Sequence, residues 1–362
     1  ERILSDLINL DIVDSRQASI YFGIFIGACF GILAHKTKFC FRSAFIAQRP
    51  NQETAIWMSA LITALAGTQL IIFLGFISFN EHRFFQNELP WLALILGGLL
   101  FGSGMVLTRG CVSRLTVLAG TGNLRAAMVL LIFGIVAHAS LKGVISEPII
   151  FIKTITLNTE KFTNSISILI IKVALSLTLT LFWALLIIRT KPKLIKLLLA
   201  CIMGLLIPLS WAGTGFILYD EFDPIAFESL SYTKPYADTL FWIVASSAIP
   251  PNFGVGLVAG TVCGSIVTAL VTREFRIETF ESTAQTTRYF IGATMMGVGG
   301  VLAGGCTIGA GLAGLPSLAP ATILATVSII LGGFACKYAL ASTAFLNVYA
   351  GSLDRQAQPQ AK

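Results

Sequence analysis

The chain has 362 residues, of which 55% are hydrophobic and 12% charged, with a net charge of +7 and a mean hydropathy of +0.82. Soluble domains carry about 25% charged residues, so a bilayer must replace water over most of this surface. That excludes a cytosolic enzyme, a nucleic-acid binder and a secreted disulfide scaffold, and makes the lipid bilayer the first partner.

In chain order, residues 1–19 form an N-terminal segment in which Ile3-Leu4, Leu7-Ile8 and Ile12 repeat as on an amphipathic helix at the membrane interface. No basic, apolar leader with an A-x-A site precedes the first span. A span needs about 20 apolar residues. That length predicts nine: 18–34, 54–79, 91–107, 125–141, 165–188, 194–216, 253–271, 287–303 and 320–345. They divide into a first transmembrane half (20–190) and a second (191–345), followed by a tail (346–362). The apolar stretch 241–251 is short and stops at Pro250-Pro251, so it reads as a partial segment. Segments 36–48, 109–120, 273–283 and 305–316 are too short to cross. They read as interfacial loops or as re-entrant half-helices, which are tolerated at depth where protein or a water-filled cavity surrounds them.

The fold class is therefore all-α and polytopic, with about nine spans plus half-helices. With nine spans, sixteen of the Lys and Arg residues fall on one side and seven on the other. The positive-inside rule then places the N-terminus outside and the C-terminus in the cytoplasm.

The halves share a motif. Gly102-x-Gly104-x5-Gly110-Cys111 matches Gly297-x-Gly299-x5-Gly305-Cys306, with Val106-Leu107 matching Val301-Leu302. A weaker match pairs Gly27-x3-Gly31 and Phe41-Arg42 with Gly260-x3-Gly264 and Phe275-Arg276. The first places its elements on opposite faces, as in an inverted repeat, and the second places them on the same face. The two imply opposite symmetries.

Cysteine directly after glycine at a break in a span has a chemical logic. Glycine admits close backbone approach, and a helix starting there aims free N–H groups and its positive end into the membrane. A thiol at that point is either a nucleophile or metal ligand of lowered pKa, or a weak, polarisable donor that an anion can leave again. The seven cysteines contain no C-x-x-C pair, which offers neither a zinc site nor a disulfide framework. Cys29, Cys201, Cys263 and Cys336 read as small buried hydrophobes. Cys111 and Cys306, in the repeat, are the site candidates, supported by Gly110 and Gly305. Cys40, in a basic break after the first span, is open between the two readings.

Arg109, beside Gly110-Cys111, either draws anions to the waist or anchors a loop. Lys337, deep in the last span, either meets a partner or the anion, or snorkels to the interface. His138 reads as packing. No nucleotide loop, metal motif or ladder of carboxylates is present, so no cofactor, metal or catalytic residue is assigned.

Lys36-Thr-Lys-Phe-Cys-Phe41, Gly110-Cys111, Thr272-Arg-Glu-Phe-Arg276, Ala284-Gln-Thr-Thr287 and Ala303-Gly-Gly-Cys-Thr-Ile-Gly309 together resemble the YeeE/YedE family of bacterial membrane proteins. The resemblance covers roughly 20–345. It implies an hourglass-like inner-membrane importer of thiosulfate in which three cysteines, here Cys40, Cys111 and Cys306, handle the anion along a narrow path. It also implies a cytoplasmic sulfur-carrier protein as receiver. Arg109 departs from the family's small residue before Gly-Cys, which leaves room for another sulfur species. The sequence reading is thus a transporter of a small sulfur anion relayed by thiol hydrogen bonds. Its rivals are a membrane-embedded sulfurtransferase using a cysteine persulfide and a purely structural subunit.

Overall fold

The computed structural model describes residues 14–46, 51–79, 82–85, 88–158, 166–220, 225–247 and 249–356. The interfacial helix expected at residues 3–12 lies outside them. The helices are α1 (Ser15–Thr37), α2 (Phe41–Phe45), α3 (Gln52–Phe73), α4 (Trp91–Leu107), α5 (Val112–Gly120), α6 (Leu124–Lys142), α7 (Ser146–Lys153), α8 (Ile166–Thr190), α9 (Leu194–Ala212), α10 (Thr233–Val244), α11 (Phe253–Val271), α12 (Thr283–Leu302) and α13 (Pro320–Gln356). Two short strands, Glu88–Leu89 and Leu157–Asn158, pair antiparallel.

Among the described residues, nine helical stretches are long and apolar enough to cross a bilayer. All nine expected spans are present, and the protein is an all-α polytopic membrane protein. Local chemistry sets the helix starts. Asn51 and Thr54 form a reciprocal capping box at α3. The side chains of Asn123, Asn252 and Ser282 accept first-turn N–H groups of α6, α11 and α12.

Two expectations need correction, and one open pair of readings is decided. The span expected over 54–79 stops at Phe73, because Gly75 turns the chain at φ 74°. Segment 273–283 is not a half-helix. Its backbone ties instead to the α5–α6 turn, through Arg276 N–H to the Thr121 carbonyl and Leu124 N–H to the Glu278 carbonyl. The partial segment placed at 241–251 lies earlier, as α10, with Pro235 in its first turn, where a missing N–H costs nothing.

The glycines resolve the two symmetries. A Cβ at Gly23, Gly27 or Gly31 would meet the carbonyls of Phe253, Leu257 and Thr261, and one at Gly256, Gly260 or Gly264 those of Ile20, Ile24 and Ala28. Both series ascend together, so α1 and α11 lie parallel in a backbone-to-backbone seam. On α4 and α12 the order reverses. Gly97 meets Leu302 and Ala303, Gly104 meets Gly292 and Met296, and Gly299 meets Gly97 and Phe101. That pair is antiparallel and reciprocal, as an inverted repeat requires. The Gly-x3-Gly match is thus a packing seam between two helices. Phe41 lies in a helix and Phe275 in a loop, so the Phe-Arg pairs are not equivalent.

Candidate functional site

One backbone device occurs three times. Lys38, Arg109 and Gly304 adopt left-handed φ values of 56°, 60° and 70° at the ends of α1, α4 and α12. Two residues later Cys40, Cys111 and Cys306 stand in extended conformation as N-caps of α2, of α5 and of a π-helical turn, Thr307–Leu312. Glycine fits the left-handed position without strain, whereas Lys38 and Arg109 occupy it at a cost of about 1 kcal/mol each. Each break thus presents a thiol where a new helix begins. Cys306 Sγ accepts the Gly309 N–H of its own first turn at 3.4 Å.

Those breaks converge. The thiols of Cys40 and Cys111 face each other, and Cys111 Sγ lies 3.3 Å from Ser113 Oγ. The Thr307 hydroxyl, next to Cys306, faces the Cys111 thiol; it is buried and makes no hydrogen bond of good geometry. A buried hydroxyl without a partner costs about 1–3 kcal/mol unless something occupies it.

An aromatic wall surrounds this point. Trp57 stacks on Phe39 with centroids 6.2 Å apart and takes Phe41 and Phe45 edge-on at 5.1 and 4.8 Å. Phe30 meets Tyr232 at 5.8 Å, and the Tyr232 hydroxyl bonds Thr261 Oγ1 at 2.9 Å. Cys111 and Cys306 are 1% and 0% exposed, so the waist is shut to bulk water. Cys40 is partly exposed.

On one side of the waist, the backbone at Gly309 lines a cavity of about 520 Å3. Beside that cavity His82 sits among the rings of Phe79, Phe84, Trp211 and Phe227, and its Nδ1 accepts the Phe84 N–H at 3.3 Å. Burial lowers its pKa to about 4, which keeps it neutral at physiological pH. Among the described residues, no group of three or more His, Cys, Asp or Glu is placed to hold a metal ion.

The supporting residues fall in different places. Gly110 and Gly305 lie inside the breaks, directly before their cysteines. Arg109 is exposed at the end of α4. Lys337 is not directed at the thiols: its Nζ donates to the Ile46 carbonyl at 2.7 Å, at the C-terminal end of α2. Ile46 also packs into a notch that Gly333 leaves on α13, so α13 seats the helix that Cys40 starts. His138 stacks on Phe241 at 4.7 Å. Thr307, Tyr232 and Trp57 escape a sequence reading. Only Thr307 had a signal, its place inside the Gly-Cys motif.

The model of the Sulphur transport family matches residues 36–335. The thiosulfate transporter TsuA of Escherichia coli is 29% identical over 326 residues, 80% of this chain and 86% of its own. The thiosulfate transporter TsuA of Spirochaeta thermophila is 26% identical over 350 residues, 89% of this chain and 99% of its own. The family match takes in all three cysteine breaks and both antiparallel helices, and the chain belongs to the Sulphur transport family, the YeeE/YedE family its motifs resemble.

Proposed function

We propose that this protein imports thiosulfate, or a closely related sulfur anion, across the bacterial inner membrane. The anion passes from Cys306 to Cys111 to Cys40 by exchanging thiol hydrogen bonds, with no covalent step. The observation that carries the reading is three cysteines that each cap a new helix, with the Cys111 thiol meeting both the Cys40 thiol and the buried Thr307 hydroxyl next to Cys306. The names of the two relatives supply the substrate.

A dianion entering an apolar waist loses its hydration and must meet donors there. Thiols suit the task because they are weak donors with polarisable sulfur, so the anion is held at each station and released to the next. A fixed ammonium or guanidinium at the waist would trap it, and Lys337 is turned away onto backbone. The Cys306 side faces outward and the Cys40 side faces the cytoplasm, where a sulfur-carrier protein receives the anion.

Growth of a sulfur-uptake-deficient strain on thiosulfate as sole sulfur source tests the assignment. The wild-type chain is expected to restore growth, and Cys111→Ala or Cys306→Ala to abolish it at equal membrane abundance. Growth with both alanine variants would refute the relay, and rescue by no sulfur anion would refute the assignment. A persulfide adduct of about +32 Da on Cys111 after thiosulfate exposure would favour the sulfurtransferase reading instead.

A further inference from the structure

Two cavities meet at the Cys306 break, on the face where α12 ends and α4 begins. The larger, about 520 Å3, is lined by Arg83, Glu228, Ser231, Lys234 and Gly309. The smaller, about 210 Å3, is lined by Arg83, Lys153, Thr233, Lys234 and Gly305. Arg83 and Lys234 border both, so one cluster of basic groups overlooks the approach to Cys306 from two directions.

Among the described residues of this cluster, basic groups outnumber acidic ones. Lys234 is ion-paired to Glu228. Among the described residues, no carboxylate lies within ion-pair distance of Arg83 or Lys153. Arg83 lies over the Phe84 ring at 5.4 Å and is exposed to the recess. It is also within electrostatic range of Glu228, Cys306 and Lys153. Burial, and then Arg83, hold the Lys153 ammonium below its usual value. The Thr233 hydroxyl is 4% exposed, borders the smaller cavity and has no hydrogen-bond partner. Two cations kept close together destabilise one another, and Glu228, which also pairs with Lys234, offsets only part of that. They are stabilised by whatever anion sits between them.

We propose that Arg83, Lys153, Lys234 and Thr233 form a capture site for a doubly charged tetrahedral oxyanion, which then moves on to Cys306. Among the described lining residues, the three cations outnumber the single carboxylate of Glu228, which suits an anion. The guanidinium fork suits two oxygens of one anion. The site recognises charge and oxygen geometry, which sulfate and thiosulfate share. Sulfate therefore competes here, and discrimination falls to the thiols beyond. This rests on the anion-transport reading above.

The test is initial-rate uptake of labelled thiosulfate into proteoliposomes holding the full chain, at low and high KCl. Arg83→Gln is expected to raise KM about tenfold while Vmax stays within about twofold, and Arg83→Lys to recover most of the loss. The KM of the wild type should rise more steeply with KCl than that of Arg83→Gln. Unlabelled sulfate should compete without being accumulated. If Arg83→Gln does not fold, Lys153→Gln decides on the same criteria. An unchanged KM, or a loss confined to Vmax, overturns the proposal. Should the wild type transport nothing, the transport reading fails on its own. Equilibrium binding of labelled sulfate to the purified protein then decides for the capture site, with Arg83→Gln expected to bind about tenfold more weakly.

Discussion

Gly260→Ala is the sharpest test of how the spans are held together. A Cβ there would stand 2.2 Å from the Ile24 carbonyl oxygen and 2.9 Å from the Ile24 Cα, both backbone atoms. Ordinary contact begins near 3.4 Å, so α1 and α11 must part by about 1 Å. Over-packing of this kind costs about 1–3 kcal/mol. The widened seam also forfeits dispersion along its other five glycines. Against that, alanine gains about 1 kcal/mol of helix propensity over glycine. The net expectation is a loss of about 2 kcal/mol.

Gly134→Ala on α6 is the control, because its Cβ would stand 3.5 Å from the nearest atom, the Tyr236 carbonyl oxygen. It should keep the propensity gain and be neutral or slightly stabilising. The assay is thermal unfolding of both variants in the same detergent. Gly27→Ala added to Gly260→Ala should cost less than the sum of the two, since one parted seam accommodates both. If Gly260→Ala unfolds at the wild-type temperature or above it, the backbone seam is not what holds α1 to α11.

Lys337→Met removes the donor to the Ile46 carbonyl, a charge-assisted bond of about 1.5–3 kcal/mol. Thiosulfate uptake should fall, and trypsin should cut more readily near Arg42, while Lys337→Arg retains much of both; uptake equal to wild type would show that α2 needs no such seat. Thr307→Val keeps the shape of the side chain and deletes a buried hydroxyl without a partner. Stability should hold or rise by about 1 kcal/mol while uptake drops at least tenfold, whereas a loss of stability with uptake intact would reverse its role. His82 has its pKa lowered to about 4 from an unfolded value near 6.5, so the unfolded chain binds the extra proton first as pH falls. Its contribution is fully present above pH 6.5 and is lost between pH 6.5 and 4, by at most about 3 kcal/mol. Unfolding temperature followed over that range should show the slope, and His82→Phe should flatten it.

Much of the fold was legible because a bilayer sets both the length and the composition of what crosses it. All nine spans follow from apolar runs alone. The site was legible where glycine marked it. Gly110-Cys111 and Gly305-Cys306 stand out because the motif repeats, although the left-handed turns themselves fall at Arg109 and Gly304. The same turn at Lys38 is invisible, because nothing in a lysine announces a left-handed backbone, and Cys40 accordingly stood mainly on resemblance.

The first half of helix α10 was missed because Thr233-Lys-Pro-Tyr-Ala-Asp has no apolar run. Thr233, Pro235 and Ala237 are buried by neighbours distant in sequence. The basic cluster was hidden for the same reason. Arg83, Lys153 and Lys234 come from three separate connections, and only the fold brings them to one recess. Lys337 shows the reverse case. Its depth in a span signals a partner, and the partner is a carbonyl of this chain rather than an anion.

The central claim is that three thiols carry the anion by donating hydrogen bonds. Its most direct test is uptake of labelled thiosulfate into proteoliposomes by Cys306, Cys111 and Cys40 variants, changed singly to alanine and to serine. Serine keeps a donor and alanine does not. The account predicts that each alanine variant loses at least tenfold in rate at unchanged stability, and that serine at the same position restores a measurable fraction. Wild-type uptake by the alanine variants would contradict it, and so would serine variants as inactive as alanine at all three positions.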